Sequence, residues 1–440
     1  MEKEYLKYKN YAHFDKKMSV KKAKRILTNS DQIKKHGFFP FIHFTKKQKK
    51  IESINDKIHA KKEPKIRDIY YCAHLDRYIY QYYSHELGLT YNEYVKKHNI
   101  DECSAAYRIG KKMCNINYAY DVFEFLKTKK NAIVIIGDFT KFFDNLDHSQ
   151  LKKRIKEMKN SELDNEFYKI FKSVTNFKYI NIEDLYEYFS KKNNKRCEKY
   201  YIRKLKVLMP MNEFKKFIHE TNDAGIPYLK QNKNNYGIVQ GSPLSGIFAN
   251  IYMIHFDEHM NKLAQKFNGK YLRYSDDFVL VIDDVSQDEI VKIYEIIQKN
   301  VADTGHIQLE NKKTNIYEFK NEEIHCINNL IFNTSQSPNV INFLGFSFNG
   351  KEIKIRDKTI SKYFYKMNWS IKKYFEGKNK ITRKKIYDKF SNQGEKSNFI
   401  SYVKNAEKVF ENEKSIANVR KQSKRKITEN IGRIKTKRNK

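Results

Sequence analysis

Tryptophan, cysteine, proline and glycine are all scarce in this 440-residue chain: one Trp, five Cys, six Pro and fifteen Gly. So few prolines supply no proline-rich linker, and no internal repeat occurs. The chain therefore reads as one continuous molecule of several subdomains. The cysteines, Cys72, Cys103, Cys114, Cys197 and Cys326, form no CxxC pair and no Cys/His cluster. That spacing argues against a zinc site and a disulfide framework, and it fits a reducing cytoplasm. The longest apolar runs, near 132–137 and 278–282, are strand-sized, so no membrane partner is expected. Met1-Glu2-Lys3-Glu4 is charged where a signal peptide needs an apolar stretch. Acid is also short: 52 Asp and Glu face 87 Lys and Arg, a net charge of +35. Such an excess points to a polyanionic partner. An aromatic content of 14% supports a nucleic acid, because single-stranded bases stack on aromatic faces.

Periodicity gives a mixed α+β chain. Residues 1–60 read as a basic, helical extension, with an aromatic cluster at Phe38–Phe44. A charged loop at Lys61–Asp68 leads into a strand, and Ala73–Leu87 and 116–129 have helical spacing. Ala132–Asp138 reads as a strand apolar on both faces. A helix capped by Asp147 or Ser149 follows. Residues 155–235 read as helices plus a surface insertion. Further along come a glycine-containing loop running into a helix (Gly237–Met253), a hairpin with a helix and strand (265–320), and another hairpin (Asn342–Ile355). Helices after 358 end in a basic tail, Lys421–Lys440, expected to be frayed and solvated.

Three elements carry chemistry. Arg273-Tyr274-Ser275-Asp276-Asp277-Phe278 sets two acids between apolar runs, as at the tip of a β-hairpin. Asp138 ends the strand Ala132–Gly137, and strand ends are where ligands bind. Carboxylates converging from separate elements are what two-metal phosphoryl transfer needs. Neighbouring strand residues face opposite ways, so Asp276 and Asp277 are expected to contribute unequally. The third element is Gly237-Ile238-Val239-Gln240-Gly241-Ser242-Pro243-Leu244-Ser245-Gly246. Its small residues let backbone approach a ligand, and the following helix offers N–H groups to a polyanion.

In this order the three elements resemble the palm of a reverse transcriptase. Asp138 with Phe142-Phe143-Asp144 looks like motif A, Gln240–Ser245 running into Ala249-Asn250-Ile251-Tyr252 like motif B, and Tyr274-Ser275-Asp276-Asp277 like the YxDD of motif C. Leu309–Thr314 is similar to motif D and Phe343-Leu344-Gly345-Phe346 to the primer grip of motif E. Lys65-Ile66-Arg67 and Tyr107-Arg108-Ile109-Gly110 are similar to finger motifs. The resemblance spans roughly 60–360.

It implies a right-hand α+β polymerase fold: fingers at 61–130, a palm at 131–355 with an insertion near 155–235, and an α-helical thumb at 356–420. A basic N-terminal extension at 1–60 and a basic tail at 421–440 flank these. It implies that Asp138, Asp276 and Asp277 bind two Mg²⁺ ions, with Mn²⁺ the alternative. Asp138 and Asp276 bridge them, and Asp277 supports the hairpin. Phe143 is the steric gate against a 2′-OH, with Phe142 its neighbouring competitor. Gln240 contacts the nucleotide or template, Lys65 and Arg67 clamp the triphosphate, and Lys313 neutralises pyrophosphate. Phe343, Leu344 and Gly345 form the primer grip.

The implied partners are an RNA template, dNTPs and a DNA product, with a homo-oligomer or a partner protein of the same locus. About 80 residues follow motif E, enough for a thumb alone. No His/Cys cluster follows the thumb, Gly246 stands where intron-type enzymes carry Pro, and the retron signatures are missing. This pattern is similar to the compact prokaryotic unknown-group and abortive-infection reverse transcriptases. That class implies a cytoplasmic enzyme, a structured non-coding RNA template and a role in defence against phage. A template-independent or protein-primed polymerase, and a non-catalytic RNA-binding protein like the maturases, are the alternatives.

Overall fold

The computed structural model describes residues 5–48, 51–54, 57–60, 64–332, 338–377, 381–391, 398–411 and 413–438. Its centre is a five-stranded antiparallel sheet. The spatial order is Glu323–Cys326, Asn315–Lys320, Asn131–Asp138, Asp277–Asp283, Lys270–Tyr274. The central strand is apolar at successive positions because both faces of the sheet are covered. Ile133 and Ile135 point to one core, with Phe278, Leu280 and Ile282 from the next strand. Ala132, Val134 and Ile136 point to the other, with Val279 and Val281.

Helices His148–Lys159, Ser245–Tyr252, Ile254–Lys266 and Gln287–Ala302 pack on the first face. Their apolar residues recur at helical spacing, as in Ile290, Ile293, Tyr294 and Ile297. The last of these helices begins with a capping box, Ser286 with Glu289. The opposite face is covered by the helix Asn115–Lys127, the helix Asn398–Val409 and a small sheet of Ile341–Phe343, Phe346–Phe348 and Ile353–Ile355. The hairpin expected at Asn342–Ile355 is thus three strands.

A second sheet lies in the N-terminal half, ordered Lys65–Tyr71, Phe41–Gln48, Lys178–Asn181, Lys230–Gln231. The helical reading of 1–60 is corrected here. Short helices occupy Val20–Leu27 and Ser30–Lys35, but Phe41–Gln48 is a strand. The aromatic cluster Phe38–Phe44 seeds that strand, because Phe41 and Ile42 are fully buried between elements distant in sequence. The segment before it is docked. Asp15 Oδ2 accepts from the backbone N–H of His74 at 2.8 Å and of Leu75 at 3.1 Å, capping the helix His74–Lys97.

The insertion between Lys178 and Gln231 forms its own apolar cluster around Leu185, Phe189, Phe214 and Phe217, seated on Ile42. At the C-terminus the expected frayed tail is a helix, Lys414–Arg438. Ile427 and Ile431 drop into a cluster with Phe364, Met367 and Ile371 of the helix Asp357–Phe375. Two isoleucines four residues apart outweigh the surrounding lysines, which remain solvated on the outer face.

One contact ties the sheet to its own backbone. A Cβ on Gly137 would meet ring carbon Cε1 of Phe278 at 2.2 Å, and Phe278 is fully buried. Gly137→Ala should destabilise the fold by about 1–3 kcal/mol through overpacking, measured as a shift in urea midpoint at unchanged m-value.

Candidate functional site

The hairpin strands Lys270–Tyr274 and Asp277–Asp283 are joined through Ser275 and Asp276. Ser275 takes the left-handed conformation, φ 64°, which reverses the chain within two residues. Asp277 lies directly across from Asp138 in the ladder, and Phe139 N–H donates to Asp276 O at 3.0 Å. The three acids that sequence reasoning selected therefore meet at one sheet end.

Their electrostatics are crowded. Burial, the charges of Asp276 and Asp138, and a hydrogen bond shared with Asp138 push the Asp277 carboxyl up to about 7. Lys313 opposes this rise, its Nζ lying 2.6 Å from Asp138 Oδ1. Backbone contacts hold that lysine's segment in place: Thr140 N–H donates to Gln308 O at 2.9 Å and Glu310 N–H to Asp138 O at 2.8 Å. The resemblance makes Asp138 and Asp276 the bridging metal ligands. Here Asp277 makes the direct carboxyl contact with Asp138, since residues paired across a ladder point to the same face.

The donor chemistry fits a hard divalent cation: oxygen ligands only, excess negative charge and one ammonium already drawn in. The set is open rather than a closed cage. Among the described residues no three His, Cys, Asp or Glu side chains stand ready around one ion.

Phe142 is buried in the core, while Phe143 packs against that core and stays half-buried. Gln240 is half-buried, and its carbonyl accepts from Tyr70 N–H at 2.9 Å. The next residue, Gly241, has φ 128°, and a Cβ there would lie 2.2 Å from Tyr70 O. Only glycine lets this loop rest on the N-terminal sheet.

The side chain of Lys65 lies outside the described residues. Arg67 is exposed, opposite Lys46 in the ladder. Burial lowers the pKa of Lys362, and the like charges of Lys366, Lys358, Arg67 and Lys46 lower it further. Cations from two paired strands and a helix thus gather where a polyanion would relieve their repulsion. Phe343 is buried, and Leu344 and Gly345 form a left-handed turn at φ 46° and 95°. Asn115 Nδ2 donates to Leu344 O at 2.9 Å, and Arg356 N–H to Gly345 O at 3.0 Å.

Beneath the hairpin tip lies a network that sequence reasoning missed. Arg273 is fully buried. Its Nε donates to Asp257 Oδ1 at 2.8 Å and its Nη2 to Oδ2 at 2.6 Å, a bidentate pair. Its Nη1 donates to the carbonyl of Ser275 at 3.1 Å. Burial alone would depress the guanidinium pKa; the Asp257 charge and hydrogen bonds outweigh it and raise it. Asn250 Nδ2 donates to Ala106 O at 2.7 Å, fixing the segment that carries Tyr107. The signal was present in outline: Asp257 falls on the apolar face of its helix, beside Phe256 and Met260, and Arg273 interrupts a buried strand.

Residues 213–348 match the family model described as reverse transcriptase (RNA-dependent DNA polymerase). That segment, about a third of the chain, is similar to a reverse transcriptase domain. The match covers Asp276, Asp277, Gln240 and Lys313 but begins downstream of Asp138, which the sheet brings beside the matched segment. No curated protein matches the sequence.

Similar solved structures include apo telomerase from Candida tropicalis truncated from its C-terminal domain. It is 15% identical, covers 70% of this chain and 55% of that one, and has a TM-score of 0.43. Apo telomerase from the same organism gives 14%, 94%, 65% and 0.42. Telomerase from Candida albicans, in complex with a TWJ fragment of telomeric RNA, gives 13%, 88%, 56% and 0.40. The chain thus spans 55% to 65% of the length of these structures. None of the described helices is long and apolar enough to cross a membrane.

Removing Asp257 would leave the Arg273 guanidinium buried and unpaired. Asp257→Ala should cost about 3–5 kcal/mol of stability, read by chemical denaturation. A loss below 1 kcal/mol would show that the pair is not what anchors the hairpin.

Proposed function

We propose that this protein is an RNA-directed DNA polymerase that adds dNTPs to a 3′-hydroxyl on an RNA template. The observation that carries the reading is the convergence of Asp138, Asp276 and Asp277 at one sheet end, with Lys313 drawn to the charge they concentrate. A structural turn has no use for three crowded carboxyls.

In this reading Asp138, Asp276 and Asp277 hold Mg²⁺, or Mn²⁺ in its place. When bound, such cations activate the 3′-hydroxyl and neutralise the pyrophosphate leaving group. Lys313 moves from Asp138 to the pyrophosphate once the carboxylates are engaged. Phe143 excludes a 2′-OH, and Gln240 contacts the nucleotide or template from a loop braced on Tyr70. Lys65 and Arg67 attract the triphosphate, and the Phe343–Gly345 turn supports the primer. The fingers are assigned to 61–130, the palm to 131–355 and the thumb to 356–420.

The finer assignment is a compact prokaryotic enzyme of the defence-associated class, copying a structured non-coding RNA, alone or with copies of itself or a partner protein. The net charge of +35 supports the RNA partner, and Gly246 in place of Pro supports the class.

Asp276→Asn should lower primer extension by on the order of a thousandfold or more, because one carboxylate of the metal set is lost, while the melting temperature stays close to wild type. Full activity in that variant would sink the assignment. Phe143→Ala should admit ribonucleotides on the order of tenfold or more readily, measured as the ratio of kcat/KM for dNTP and rNTP. Nucleic acid co-purifying with wild type and with Asp276→Asn should include one discrete RNA in both and complementary DNA in the wild type alone. DNA without a matching RNA would point instead to template-independent synthesis.

A further inference from the structure

Tyr107 has no role in the assignments above, yet three contacts converge on it. Its hydroxyl and Ser275 Oγ share a hydrogen bond at 3.0 Å, and Ser275 immediately precedes Asp276. Its ring meets that of Phe143 edge to face, with centroids 6.4 Å apart and planes at 70°. One side of the ring lies on Gly246, where a Cβ would come within 2.7 Å of ring carbons Cδ1 and Cγ. The backbone at Tyr107 is left-handed, φ 60°, which a bulky residue adopts only when its surroundings impose it. Even so, 49% of the residue remains exposed. A strained, clamped and half-exposed aromatic contributes little to the core. What the fold spends on it is position.

We propose that Tyr107 is a positioning residue for sugar discrimination. It backs the Phe143 ring and ties it to the catalytic turn, so the room left for the nucleotide sugar is set by the pair. The inference rests on the polymerase reading above. A ring that excludes one hydroxyl must resist displacement by about an ångström, the scale on which misplacement alters catalysis. Phe142 holds Phe143 on one side, with ring centroids 5.5 Å apart, and Tyr107 meets it on another. Gly246 is the permissive partner: any side chain there would push the tyrosine ring off its seat. This gives a physical reason for glycine at the position following Ser245.

The test is primer extension by the full-length protein with dNTP and rNTP, comparing wild type, Asp276→Asn, Tyr107→Phe, Tyr107→Ala, Phe143→Ala and the double variant Tyr107→Ala/Phe143→Ala. Tyr107→Phe keeps the ring and loses one hydrogen bond. It should hold sugar discrimination within about twofold while kcat falls about 2–10-fold. Tyr107→Ala should lower discrimination by about tenfold or more. The double variant should discriminate no worse than Phe143→Ala alone, because both changes act through one ring. Unchanged discrimination in Tyr107→Ala would overturn the proposal even if kcat fell, since a purely structural role predicts that pattern. Additive losses in the double variant would overturn it as well. If wild type shows no synthesis that Asp276→Asn abolishes, the polymerase reading fails first and the inference falls with it. Synthesis with unaltered discrimination condemns the inference alone.

Discussion

Arg273 carries a charge and has no solvent contact, so everything around it must answer for that charge. Asp257 does so through two hydrogen bonds, and the remaining donors reach out to structure the neighbourhood. One fixes the carbonyl of Ser275 at the tip of the hairpin. The strand backbone at Arg273 exchanges hydrogen bonds with Cys103 and Ala105, which binds the segment leading to Tyr107. Asn250 lies between the two, accepting weakly from Arg273 and donating to Ala106. A helix, a strand, a loop and a turn are thus referenced to one guanidinium. An apolar core of the same volume would be at least as stable. What the ion pair adds is direction: a bidentate fork has one satisfactory geometry, and the hairpin tip inherits it.

Above this hub the site holds charge that the fold does not neutralise. Asp277 cannot ionise freely beside Asp276 and Asp138, and Lys313 offsets only part of the repulsion. A sheet covered on both faces tolerates this because the strands beneath the acids are wholly apolar and rigid. The same crowding of like charge recurs among Lys46, Arg67, Lys358, Lys362 and Lys366, where two paired strands and a helix gather cations. Negative charge is concentrated at the sheet end, and positive charge between the N-terminal sheet and the helix Asp357–Phe375. Both arrangements hold like charges close together, at a cost in stability.

Much of this was legible because local rules and global packing agree. The central strand announced itself as continuous apolar residues ending in an acid, and a two-faced sheet requires that composition. The YSDD turn was legible for the same reason: short apolar runs around two acids have few other foldings. Misreadings fell where tertiary contacts override local preference. Phe41–Gln48 is a strand because Lys65–Tyr71 and Lys178–Asn181 flank it, the latter 130 residues away. Residues 421–438 form a helix because Ile427, Ile431 and Ile434, among eight lysines and arginines, find a hydrophobic partner.

By itself, the sequence determined which residues could do chemistry: three carboxyls, a pair of aromatics close after the first of them, a glycine loop and an excess of cations. These follow from residue type and spacing, which no folding can alter. Only the tertiary structure decided which groups touch. Register placed Asp277, not Asp276, across from Asp138, because ladder pairing fixes which side chains share a face. Burial turned Phe142 into core and left Phe143 half open. Long-range hydrogen bonds joined Arg273 to Asp257 and Tyr107 to Ser275, contacts between elements whose separation in sequence carries no local signal.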